Sequence, residues 1–144
     1  MSPLNEELPQ KRIRRFPSFD SLALLTTLLL LPAFAITRLA QAFGPLFLLS
    51  WAGAASAAAY LLYRHDKRRA EMNGWRTPES VLHLIELLGG WPGAFLAQRI
   101  LRHKIRKVSY QAAFWTIVLF YELISFDFIH GWRYSRNVIH LLFS

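Results

Sequence analysis

Glu79, His83 and Glu86 are spaced four and three residues apart, which on a helix puts one imidazole and two carboxylates on the face opposite Leu82, Ile85 and Leu88. Such a set supports three chemistries: ion pairing with Arg99, Arg102 or Lys104 further along, proton relay, or a divalent metal held by one His and two carboxylates. Pairing asks least of the surroundings, and three donors on one helix do not close a coordination shell, so no metal is assigned. The densest polar cluster is Arg102-His103-Lys104-Ile105-Arg106-Lys107, whose cations could grip phosphate. Glu79 with His103 and Lys104 is the set that acid–base chemistry on a lipid would draw on. Asp66 lies among Arg64, Lys67, Arg68 and Arg69 and reads as an exposed ion, worth under about 1 kcal/mol in any one pair. There is no cysteine, no G-x-S-x-G, no P-loop and no H-E-x-x-H, so no catalytic signature emerges and no cofactor is implied.

The elements that must position these groups are membrane helices. In 144 residues, 53% are hydrophobic, and the apolar positions collect into long runs between compact basic clusters. Residues 21–37, 45–63 and 108–126 each approach the roughly 20 apolar residues that a hydrocarbon core demands. The fold class is therefore an all-α integral membrane protein with three transmembrane helices. Pro32 is expected to kink or end the first, and Pro45 suits the first turn of the second. Gly53 and Ala57 make a small-xxx-small pair, read here as space-filling within the monomer or as a contact in a homo-oligomer.

Residues 81–98 are harder to place, because Gly89-Gly90-Trp91-Pro92-Gly93 should break a helix. Thr77 can cap a helix with Pro78 and Glu79 in its first turn. The arms 78–88 and 94–104 would each reach about 16 Å, half a bilayer core. That length predicts a re-entrant helical hairpin; the alternative is a fourth span. Basic residues favour the hairpin: re-entry keeps the N-terminal cluster, the 64–76 loop and the 99–107 loop together, whereas a crossing puts Arg99, Arg102, Lys104, Arg106 and Lys107 opposite. The domain reading is a basic cytoplasmic segment over 1–17, a two-helix membrane hairpin over 18–63, a region with basic loops, re-entrant hairpin and last span over 64–129, and an interfacial tail over 130–144. Ala33-Phe34-Ala35 and Ala40-Gln41-Ala42 resemble cleavage sites, but another membrane helix follows, so an intact first span is preferred.

Asp66-Lys67, Trp75-Arg76-Thr77-Pro78-Glu79, Leu82-His83-Leu84, Leu87-Leu88-Gly89-Gly90-Trp91-Pro92-Gly93-Ala94, Gln98-Arg99, Arg102-His103-Lys104, Lys107 and Ser109-Tyr110 together resemble domain-of-unknown-function family 1294. The resemblance implies a small bacterial membrane protein, similar to the subgroup often fused to a cold-shock domain; nothing before Ser21 resembles that domain. It singles out Asp66, Lys67, Arg76, Pro78, Glu79, Gly89, Gly90, Gly93, His103, Lys104 and Lys107 ahead of His83, Glu86 and Glu122. The position after His103-Lys104, often Thr in the family, is Ile105 here. The expectation is a non-enzymatic protein of the bacterial cytoplasmic membrane, N-terminus cytoplasmic. Asp66, Lys67, Arg76, His103, Lys104, Arg106 and Lys107 would bind anionic lipid or an acidic membrane-protein partner, and Gly89, Gly90, Pro92 and Gly93 would form the turn. The alternative is a lipid-directed enzyme or small transporter using Glu79, His103 and Lys104. Nucleic acid is disfavoured for want of any recognition module.

Overall fold

A computed structural model describes residues 18–75 and 77–143; Arg76 and the basic segment 1–17 lie outside the described residues. The chain is all-helical: α1 (Phe19–Phe43), α2 (Pro45–Glu71), α3 (Glu79–Ile85), a π-turn (Glu86–Gly90), α4 (Trp91–Leu101), α5 (Val108–Ile129) and α6 (Arg133–Phe143). Among the described residues, four stretches are long and apolar enough to cross a membrane: α1, α2, α5 and Glu79–Leu101 taken as one segment. Large apolar side chains such as Leu30, Leu46, Leu49, Leu61, Leu119, Phe120 and Leu123 point outward, as a membrane-spanning protein requires.

Ser18 caps α1 by accepting a hydrogen bond from the Ser21 amide at 3.4 Å. The first helix does not end at Pro32: it continues to Phe43, and Pro32 is buried inside it. One missing amide is a small fraction of a 25-residue ladder. Arg38 therefore lies within α1, and the whole connection to α2 is Gly44, whose φ of 82° lets the chain turn while its amide closes on the Ala40 carbonyl at 2.9 Å. Pro45 opens α2 as expected.

The glycine-rich break is narrower than its composition suggests. Gly89 turns left-handed (φ 104°), Gly90 follows at φ −81° and ψ 0°, and α4 resumes at Trp91 with Pro92 in its first turn. Thr77 does not cap α3, because Pro78 takes that position; the Thr77 amide goes to Asp66 instead. The two ends of this segment meet. Glu79, the first residue of α3, lies 2.6 Å from Lys104, three residues past α4. A straight helix of 23 residues would separate its ends by about 34 Å. The segment thus folds back on itself, with its tip between α2 and α5.

Pro92 explains how the tip is held. It has no amide to give Leu88 in α-helical register or Leu87 in π register, so both carbonyls need other donors. Trp51 Nε1 of α2 donates to the Leu88 carbonyl at 3.0 Å, and the Tyr121 hydroxyl of α5 to that of Leu87 at 2.5 Å. Close packing fixes the same face: a Cβ on Gly93 would lie 1.9 Å from the Ser56 carbonyl oxygen, and one on Gly90 2.7 Å from that of Ala55. The small residues that matter are thus Ala55, Ser56 and Ala59. Gly53 and Ala57 face outward, and Gly53 has open space around it, so they do not fill space within the monomer.

Around the hairpin, Leu25, Ala59, Tyr63, Leu82, Trp91, Phe95, Tyr110, Phe114 and Val118 make the core. At the other end, Asp127 of α5 accepts from the amides of Tyr134 (2.9 Å) and Ser135 (3.1 Å) and from the Ser135 hydroxyl, anchoring the first turn of α6. The rest of α6 is exposed.

Candidate functional site

Two polar groups lie along the hairpin. The first, at its open end, fastens the loops together. Asp66 near the end of α2 is completely buried, not an exposed ion as its neighbours suggest. Its carboxylate accepts from the Thr77 amide at 2.9 Å, meets His103 Nε2 at 2.7 Å and has the Lys104 ammonium at 3.8 Å. Glu79 takes Lys104 at 2.6 Å on one oxygen and Lys107 at 2.7 Å on the other. Lys67 donates to the carbonyl of Leu101, the last residue of α4, where a cation suits the helix terminus. The loop presents His103 and Lys104 through two left-handed residues, Arg102 (φ 49°) and Lys104 (φ 64°). Each costs about 1 kcal/mol without a glycine, so the ion pairs hold a loop shape the chain would not choose alone.

Asp66, Lys67, Glu79, His103, Lys104 and Lys107, scattered over forty-odd sequence positions, thus converge on one cluster. Lys104 is the partner that the sequence offered for the Glu79 carboxylate. Arg99 lies over the Phe95 ring instead (5.1 Å), and Arg102 and Arg106 are exposed. Arg76 is outside the described residues.

The second group is deeper and was underrated by sequence reasoning. Glu86, the first residue of the π-turn, is completely buried. One carboxylate oxygen accepts from the Tyr63 hydroxyl at 2.5 Å and the Tyr110 hydroxyl at 3.0 Å; the other lies 2.7 Å from His83 Nδ1. Gln98 of α4 donates to the Tyr63 oxygen at 3.0 Å, and Gln111 donates to Gln98 at 2.7 Å and to the Lys104 carbonyl at 3.2 Å, linking the two groups. His83 stacks on Tyr110 at 4.3 Å, and the Lys104 ammonium sits 5.3 Å from the same ring. The Tyr63 and Tyr110 rings are buried and their hydroxyls turn inward. The available signal was a pair of apolar arms, one carrying Glu86 and the other Gln98, two polar groups that a bilayer would reject unless they met partners.

The resemblance seen in the sequence holds over residues 56–110, which match the family model DUF1294, described as a protein of unknown function. The match runs from Ser56, against which Gly93 packs, to Tyr110, so it contains the hairpin and nearly all of both polar groups. No curated protein and no solved structure matches the chain.

Proposed function

We propose that the protein is a non-enzymatic component of the bacterial cytoplasmic membrane. In this reading its N-terminus is cytoplasmic, its hairpin dips in from the cytoplasmic face, and its exposed arginines at that face hold anionic lipid headgroups. The observation that carries the reading is the division of labour among the cations. Lys67, Lys104, Lys107 and His103 are engaged by Asp66, Glu79 or the Leu101 carbonyl, whereas Arg102 and Arg106 are exposed beside them with no ion pair among the described residues. In this reading headgroup contact stays with Arg106 among the residues the sequence favoured and extends to Arg102, while Lys67, His103, Lys104 and Lys107 serve as internal partners. Trp75, 90% exposed in the loop between α2 and α3, adds an aromatic side chain suited to the headgroup layer.

Each basic residue at an anionic surface contributes about 1 kcal/mol. Arg102→Glu with Arg106→Glu should therefore weaken anionic phospholipid binding about thirtyfold or more, leaving a zwitterionic analogue unaffected. Titration of detergent-purified protein measures this; equal affinity in wild type and variant rejects the reading. Topology has its own check, because the chain has no cysteine. Ser109→Cys, at the exposed start of α5, should react with a membrane-impermeant maleimide only in inverted vesicles. Labelling from outside intact spheroplasts would make residues 79–101 a crossing or reverse the whole orientation.

A further inference from the structure

Glu86 is the deepest ionisable group of the hairpin, and nothing in lipid binding uses it. Its surroundings come from every helix of the site: Tyr63 from α2, His83 from α3, Gln98 from α4 and Tyr110 from α5, the last with the Lys104 ammonium 5.3 Å from its ring. Among the described residues, α1 contributes no side chain to these hydrogen bonds. Two further facts point beyond a structural clasp. The His83 side chain is 20% exposed while Glu86 is fully enclosed, and His83 meets Glu86 through Nδ1, leaving Nε2 without a protein partner among the described residues.

We propose that His83 and Glu86 form a proton-binding dyad inside the membrane, filled from water at the open end of the hairpin. In the empty state the imidazole is neutral, its Nδ1 proton is donated to Glu86, and the pair carries one negative charge held by the two phenols. A proton from water enters at Nε2; the Nδ1 proton then passes to the Glu86 oxygen, leaving a neutral imidazole protonated on Nε2 and a neutral carboxylic acid. One proton enters, no electron moves, and the charge of the pair rises from minus one to zero. The ligand of this site is the proton, and release is the same path reversed.

Infrared pH-difference spectra of the full chain in lipid nanodiscs test it. The expected result is a carboxylic-acid carbonyl band that appears as pH falls, shifts in heavy water, and is lost in Glu86→Gln. In His83→Phe, which keeps the stacking on Tyr110, the midpoint of that band should move and its exchange with heavy water should slow. A band unchanged by either substitution, or no band while the helical circular dichroism stays native, overturns the proposal. Should Glu86→Gln fail to fold, histidine nitrogen NMR of the wild type decides. A His83 resonance that tracks pH supports the dyad; one fixed in a single tautomer across the folded range refutes it.

Discussion

Gly93→Ala should abolish stable assembly of the hairpin. The added methyl would begin 1.9 Å from the Ser56 carbonyl oxygen and 2.7 Å from its Cα, and both atoms are backbone in the middle of a 27-residue helix. No rotamer change relieves such a contact, so α4 must move off α2. That movement would also strain the Trp51 bond to the Leu88 carbonyl. Overpacking ordinarily costs 1–3 kcal/mol, and a contact with backbone on both sides belongs at or above about 3. The contrast is Gly53→Ala on the same helix, where a Cβ meets nothing within 4 Å and helix propensity alone should stabilise slightly. Unfolding in detergent, followed by circular dichroism and limited proteolysis, should separate the two variants widely. Equal stability would mean that the hairpin does not seat on Ser56.

Asp66→Ala is the second large effect. An exposed aspartate amid Arg64, Lys67, Arg68 and Arg69 would cost under about 1 kcal/mol to remove. The buried Asp66 should cost about 3, because its loss strands the Thr77 amide and leaves His103 and the Lys104 ammonium, only 7% exposed, short of an acceptor. Glu79 still holds Lys104, which keeps the figure at the low end of the range for a broken buried pair. Asp66→Asn retains an acceptor for the amide and should recover part of the loss. Denaturant midpoints in micelles measure all three chains, and a cost below 1 kcal/mol for alanine would return Asp66 to the surface.

These two variants also mark where the sequence could be read and where it could not. Helix starts at Pro45 and Val108, and a fold-back around Gly89, follow from local rules, since proline position, apolar run length and glycine content act within a turn or two. The burial of Asp66 is not local. Its neighbours all look solvated, and its partners lie 11 and 37 residues away, so only the closure of the hairpin reveals them. The same holds for Glu86, whose phenol partners come from 23 residues before it and 24 after. In the run Gly53-Ala54-Ala55-Ser56-Ala57-Ala58-Ala59 every position is small, so composition cannot say which face receives Gly90 and Gly93; the opposing glycines decide that. The polar group at the open end was legible as a list of residues but not as a cluster of internal ion pairs.

The carbonyls that Pro92 leaves open carry a consequence for how the protein is made. Leu88 finds its donor in Trp51, synthesised long before it, but Leu87 must wait for Tyr121, which leaves the ribosome 34 residues later. Until α5 emerges, the tip holds a bare backbone acceptor that lipid cannot satisfy. The segment 79–101 therefore cannot settle in order of synthesis. On the proposed topology its final seating follows the arrival of α5, because only then is the Leu87 carbonyl given its donor.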